Sequence, residues 1–268
     1  MPRAAAVQMS SGSDKRANLD RAEALVRVAA KRGAALVVLP EVFDWRGRRG
    51  EEGAGAESIP GPTSDRLGAL ARELSIHLQA GSVTERIDGD RRFFNTALLF
   101  APSGEIVARY RKIHLFDVEI PGQISTRESE TRRPGGDIVV APTAFGSIGL
   151  SVCYDLRFPE LYRRLVKAGA EILCIPSAFT FPTGAAHWEP LIRARAIENQ
   201  CYVVAPDQYG NSPSGHRDYG GSMIVDPWGA VVARASEGES VIVAEIDLEY
   251  LRRVRQELPC LTHVRLAT

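Results

Sequence analysis

The sequence predicts an α/β fold, and three observations carry that expectation. Apolar, β-branched runs recur along the chain and alternate with stretches of helical periodicity. One run, Ala34-Ala-Leu-Val-Val-Leu-Pro-Glu41, is apolar almost throughout, as a central strand covered on both faces would be. The chain has 268 residues at 44% hydrophobic content, enough for one large core, and no linker or low-complexity stretch divides it. A single domain over residues 1–268 is therefore expected.

Residues 3–9 read as a first strand. Residues 14–32 follow as a helix, with Leu19, Ala22, Leu25, Val26 and Ala29 at helical spacing and Gly33 as its stop. With the run after it this makes a right-handed strand–helix–strand unit and leaves Glu41 at the carboxyl end of a strand, where open α/β sheets place ligands. Residues 44–61 carry Arg46, Arg48, Arg49, Glu51 and Glu52 among glycines and read as a mobile surface loop near the mouth of a site. Those glycines do not directly follow a strand, so a nucleotide-binding loop is not indicated. Residues 63–75 form an amphipathic helix. Strands at 77–85, 95–100 and 106–111 are joined as antiparallel neighbours by Asp88-Gly89 and Pro102-Ser-Gly104, and the last delivers Lys112.

Residues 114–136 are polar and punctuated by proline and glycine, which marks a functional loop; Glu128 lies on it. Ile148, Leu150 and Val152 then alternate as a strand that ends in Cys153, with Pro159 starting a helix over 160–167. A strand at 171–176, a helix at 186–199 and a strand at 201–205 continue the rhythm. Segments 221–226, 230–235 and 240–246 form a closing antiparallel set around Pro227-Trp-Gly229, and a last helix covers Leu248–Glu257.

Thirty-three basic and 33 acidic residues cancel, so no electrostatic footprint for nucleic acid or an anionic membrane exists, and a small neutral or mildly anionic molecule is the expected partner. No apolar run approaches the roughly 20 residues of a membrane span, and the first residues become polar too soon for a signal peptide. Cys153, Cys174, Cys201 and Cys260 are far apart and suit reduced thiols, so a soluble cytoplasmic protein is expected.

Glu41, Lys112 and Cys153 each follow an apolar strand, and that coincidence is the sequence evidence for a site. A carboxylate can take a thiol proton and later activate water, an ammonium can hold a tetrahedral oxyanion, and a thiolate can attack a carbonyl carbon. Together they specify acyl transfer. A cysteine on a strand-to-helix turn points toward a cleft, and the dipole of the next helix is expected to lower its pKa. Plainer readings exist: Cys153 as a packed small hydrophobe, Lys112 as the solvated end of Arg109-Tyr-Arg-Lys112, Glu41 as a helix cap. A Cys–His site using His114 or His187 is a rival. His187 and Glu189 match half of a zinc deaminase pattern, but Pro259-Cys260 lacks the second cysteine, and no His-Glu-x-x-His or paired-cysteine set is present. No metal and no cofactor is expected.

Leu39-Pro-Glu41, Tyr110-Arg-Lys-Ile-His-Leu-Phe116, Val152-Cys-Tyr-Asp-Leu-Arg-Phe158 and Ala186-His-Trp-Glu189, in that order, resemble the carbon–nitrogen hydrolase (nitrilase) superfamily from the first strand to the last helix. The resemblance implies a four-layer αββα sandwich that associates into homodimers or larger assemblies. It implies a Glu–Lys–Cys site carried by Glu41, Lys112 and Cys153, with Glu128 as an additional orienting glutamate and the Tyr154 backbone N–H sharing the oxyanion with Lys112. Pro176-Ser-Ala-Phe179, the segment from Arg193 to Val203 and Val225-Asp-Pro-Trp-Gly229 are most similar to the Nit branch, which contains deaminated glutathione amidases and omega-amidases. Both release a leaving group from an amide whose acyl side is an α-keto acid. The first activity is favoured by Asn199-Gln-Cys-Tyr-Val-Val and Leu258-Pro; omega-amidase, another aliphatic amide or N-carbamoyl hydrolase, and an inactive scaffold of the same fold are the alternatives.

The branch implies a carboxylate clamp at Arg157, a hydroxyl from Thr183, and Phe179 lining the acyl pocket; guanidinium–carboxylate pairing is bidentate, which suits arginine to the role. The competing reading holds Arg157 in a structural pair with Asp155 or Glu160. Tyr219-Gly-Gly-Ser222 departs from the branch's usual Tyr-Gly-His-Ser, so Gly221 removes an imidazole, and Pro206-Asp207 and His263-Val-Arg265 also differ. These departures bear on substrate choice.

Overall fold

The computed structural model describes residues 1–266. β1 (Arg3–Gln8) leads through α1 (Lys15–Lys31) to β2 (Ala34–Val38), and the two strands pair in parallel from Ala4↔Leu36 to Ala6↔Val38. Asp14 caps α1 by accepting from the Ala17 N–H, and Ala22, Leu25, Val26 and Ala29 form its buried stripe. After α2 (Pro62–Leu74) come β3 (His77–Gln79), β4 (Val83–Arg86), β5 (Phe93–Phe100) and β6 (Ile106–Arg111). The strand expected over 77–85 is thus two. The break falls at Gly81, whose φ is +46° and where a Cβ would lie 1.9 Å from the Pro40 carbonyl oxygen. Only glycine lets the backbone pass that close beside Glu41.

The loop expected over 114–136 contains a hairpin, β7 (Asp117–Ile120) with β8 (Ile124–Arg127), followed by a 3₁₀ turn at Glu128–Glu130. β9 (Val140–Thr143), β10 (Gly146–Leu150), α3 (Pro159–Lys167), β11 (Ile172–Cys174), α4 (Phe181–Asn199) and β12 (Tyr202–Ala205) follow. α4 starts five residues before the expected 186, because Pro182 fits a helix's first turn, where its missing N–H is not needed. A second hairpin, β13 (Tyr209–Asn211) with β14 (Arg217–Tyr219), precedes β15 (Met223–Val225), β16 (Val231–Arg234), β17 (Ser240–Glu245) and α5 (Leu248–Glu257).

Two sheets result. In the first, β17, β1, β2 and β3 lie side by side, β3 and β4 share one edge of β5, and β6 takes the other. The second runs β16-β15-β12-β11-β10-β9, with β10, β11 and β12 parallel. β17 corrects the closing set expected from sequence: β15 and β16 pair with each other, but β17 crosses to the first sheet and runs antiparallel to β1. α1 and α2 pack on the first sheet and α3 and α4 on the second, while β1 meets β12 and β15 across the middle. The packing order is therefore helices, sheet, sheet, helices.

Strand alternation sorts the core. Ala4, Ala6, Leu36, Val38, Ala97 and Leu99 face the second sheet's Ile148, Leu150, Ile172, Cys174 and Val204, while Ala5, Val7, Val37, Leu98 and Phe100 face α1 and α2. β2 is covered on both faces, as its composition predicts.

Candidate active site

Glu41 follows β2, Lys112 follows β6 and Cys153 follows β10, and the facing sheets bring all three together at one end of the sandwich. One carboxylate oxygen of Glu41 accepts from Lys112 Nζ at 2.9 Å and from Asn95 Nδ2 at 2.8 Å; the other accepts the Ala178 N–H at 3.0 Å. Lys112 Nζ also donates to both oxygens of Glu128, at 3.1 and 2.9 Å. Glu128 is fixed by the Phe116 N–H at 2.7 Å. Lys112 is 2% exposed. Burial works against its charge, but Glu128 and Glu41 outweigh it and hold the ammonium well above the usual lysine range.

Cys153 has φ +49°, a left-handed conformation that a side chain rarely adopts, and opens a 3₁₀ turn, Cys153–Arg157. Its N–H donates to the Pro176 carbonyl at 2.9 Å. Asp155 pins the turn: one carboxylate oxygen accepts the Val152 N–H at 2.8 Å and the Tyr110 hydroxyl at 2.6 Å, and the other accepts the His114 N–H at 3.1 Å. The expected lowering of the thiol pKa is not what the site produces. Burial first, then the facing Glu41 carboxylate, push the Cys153 thiol well above its usual range, with Lys112 opposing. α3 begins only at Pro159, so its N-terminus lies a whole 3₁₀ turn away from the sulfur. Burial and the facing carboxylate thus both favour the protonated thiol.

Two lobes of one cleft meet at Cys153. Glu41, Lys112 and Glu128 line the larger, of about 250 Å³, together with the loop from Trp45 and the β7–β8 hairpin. Tyr154, Arg157, Phe179 and Thr183 line the smaller. Arg157 pairs with neither Asp155 nor Glu160; its guanidinium lies 5.0 Å from the Phe179 ring and donates toward His187 Nδ1 at 3.2 Å. The Thr183 hydroxyl is 2.9 Å from that of Thr180. His114 stacks on Phe158 and pairs with Asp155, and neither it nor His187 lines a lobe, so neither of the two expected histidines stands at the sulfur; His216, which does line the larger lobe, pairs with Asp218 at 3.4 Å. Gly221 lines neither lobe; it sits at a separate cleft with Tyr219 and Arg234, so the imbalance with the branch pattern there does not reach the Cys153 cleft. Residues 44–61 do reach the cleft mouth, but they begin as core rather than mobile surface: Asp44, Trp45 and Arg46 are buried, and Arg46 forms a buried ion pair with Asp218.

Cys174 and Cys201 fill the core, with thiols held up by burial. No group of three or more His, Cys, Asp or Glu side chains able to hold a metal lies among the described residues. Asn95 and the Ala178 N–H, which position Glu41, have no sequence signature. A mid-strand asparagine and a backbone donor carry no spacing rule.

Fold and cleft together define an amide-cleaving hydrolase: the chain belongs to the carbon–nitrogen hydrolase family, whose model matches residues 3–256. Among its relatives is deaminated glutathione amidase of Mus musculus, 46% identical over 270 residues that cover 99% of this chain and 84% of that protein. Omega-amidase NIT2 of Xenopus tropicalis is 42% identical over 253 residues, 94% of this chain and 91% of that one. The solved structure of the C. elegans NitFhit protein superposes with a TM-score of 0.91 at 41% identity, covering 98% of this chain and 65% of that one. This chain thus spans a little under two thirds of NitFhit's length. The family resemblance seen in the motifs is borne out.

Proposed function

We propose that residues 1–268 form one catalytic domain, a thiol amidohydrolase whose substrate is an amide of an α-keto dicarboxylic acid, with deaminated glutathione giving 2-oxoglutarate and cysteinylglycine. Glu41 takes the thiol proton as Cys153 Sγ attacks the carbonyl carbon, and Lys112 with the Tyr154 N–H holds the oxyanion. The C–N bond breaks as Glu41 returns the proton to the leaving nitrogen. Glu41 then activates water, which hydrolyses the thioester and restores the thiol. Glu128 orients Lys112. Arg157, Thr183 and Phe179 receive the acyl chain and its far carboxylate. The working form is a homodimer or larger assembly in the cytoplasm.

The observation that carries this reading is the meeting of the Glu41–Lys112–Glu128 network with Cys153 where the cleft divides, with Arg157 on the lobe away from Glu41. The relatives' names agree with it. Omega-amidase activity on α-ketoglutaramate shares the same acyl lobe and is the second reading. The test is kcat/KM for deaminated glutathione and α-ketoglutaramate, with intact-mass detection of a thioester. We expect turnover of both, the first preferred, and a loss of at least about 10³-fold in Cys153→Ala. Full turnover by that variant would overturn the mechanism.

A further inference from the structure

The two lobes differ in which part of the reaction they can serve. The group that must hand a proton to the departing nitrogen is Glu41, and Glu41 lines only the larger lobe, whereas Arg157, Phe179 and Thr183 line only the smaller. The leaving amine therefore exits into the larger lobe.

That lobe is rich in guanidinium groups, and the surplus is found by pairing each one. Arg46 is neutralised by Asp218 and Arg49 by Glu130. Glu41 and Glu128 are both engaged by Lys112. Among the described residues, no carboxylate lies within ion-pair distance of Arg48 on the Trp45 loop, of Arg127 at the end of β8, whose cross-strand neighbour Asp117 acts on it only at longer range, or of Arg132. Arg48 and Arg127 are exposed at the rim. Arg132 is 7% exposed; its Nη2 donates to Thr84 Oγ1 at 3.1 Å, and its buried Nη1 has no partner. Its charge is offset at longer range by Glu128, Glu52, Glu41 and Asp44, which oppose the lowering of its pKa by burial. Glu52, the remaining carboxylate lining the lobe, forms no ion pair but acts on Arg132 electrostatically. Lys112 is one charge against the two of Glu41 and Glu128, and Glu52 adds a third acid to the wall, so the charge left for a ligand lies at the rim, on the side chains of Arg48 and Arg127.

We propose that the larger lobe is a subsite for an amine leaving group that carries its own carboxylate, with Arg48 and Arg127 gripping that carboxylate at the rim. Bare ammonia has nothing to offer these groups, while a dipeptide ending in a free carboxylate does. The inference rests on the acyl-side reading proposed above and extends it to the other half of the substrate. Arg48 and Arg127 are specificity residues here, because neither reaches the bond that breaks.

The test uses three amides sharing the 2-oxoglutaryl acyl group: one that releases cysteinylglycine, one that releases cysteinylglycine amide, and α-ketoglutaramate, which releases ammonia. The wild-type enzyme should favour the carboxylate-ended over the carboxamide-ended amide by about tenfold or more in kcat/KM, the scale of one charge-assisted hydrogen bond, with the difference in KM. That ratio should approach one in R48A/R127A and survive in R48K/R127K, where the charges remain. A wild-type ratio near one, or a ratio that persists in R48A/R127A, overturns the inference. Hydrolysis of α-ketoglutaramate without any carboxylate preference does so while leaving the acyl-side reading intact. Failure on all three amides overturns the proposed function and this inference with it.

Discussion

Lys112 keeps its charge inside the protein because two carboxylates flank it, and the site depends on that arrangement at the level of single atoms. Glu128→Gln leaves an oxygen that can still accept from Lys112 but removes one negative charge. Its kcat should fall by about 10- to 100-fold with little change in KM, as for loss of a group that aligns an oxyanion donor. Steady-state kinetics on any accepted amide checks this, and unaltered kcat would remove Glu128 from the mechanism. The strand-end residues Glu41, Lys112 and Cys153 were legible in the sequence because a hydrophobic run that stops at a charged or nucleophilic residue is itself a pattern. Asn95 and Arg132 were not. One lies inside a strand and the other beyond a 3₁₀ turn, and only tertiary packing shows that Asn95 bonds Glu41 and that Arg132 is buried with an unpartnered Nη1.

The element that matters most is the turn at Cys153–Arg157, and its keystone is Asp155, which ties it to β6 through Tyr110. Tyr110→Phe removes a buried 2.6 Å hydrogen bond and leaves Asp155 with an unmet lone pair. We expect a loss of about 1–3 kcal/mol in urea denaturation. Turnover should fall further than the stability change alone explains, because the strained backbone at Cys153 is held in place by this network. Wild-type turnover and unchanged stability together would show that the turn holds without it. At this scale the βαβ rhythm and the final helix were legible from periodicity. The β7–β8 hairpin was not: Val118, Ile120 and Ile124 share its one half-buried face, but three apolar residues on two four-residue strands do not stand out from a polar stretch punctuated by proline and glycine. Nor was the destination of β17, because a strand's own residues do not say which of two sheets it will join.

For the molecule as a whole, acid should be destabilising in a way traceable to His77, at the start of β3 and 6.4 Å from the Phe145 ring. Burial pushes its imidazole below the ordinary histidine range, against a hydrogen bond to Ala35 that works the other way. The unfolded chain binds a proton near pH 6.5 and the folded one only at lower pH. Stability from this group is therefore complete above about pH 6.5 and declines as pH falls through the folded value, by at most about 1.4 kcal/mol per pH unit. The melting temperature should drop between pH 7 and 5, and His77→Gln should flatten that drop. An equally steep curve in the variant would assign it to other groups.

The pairing of β1 with β17 also sets a timetable for synthesis. Arg3 meets Glu245 and Gln8 meets Ser240, so one edge of β1 must wait for β17, which is made much later. At roughly 5–20 residues per second that wait lasts on the order of tens of seconds on the ribosome. During it an unpaired strand edge stands open to other nascent chains. The composition of β1 suits the delay: Ala4, Ala5 and Ala6 present far less sticky surface than the valines and leucine of β2, which gains a partner as soon as it is made.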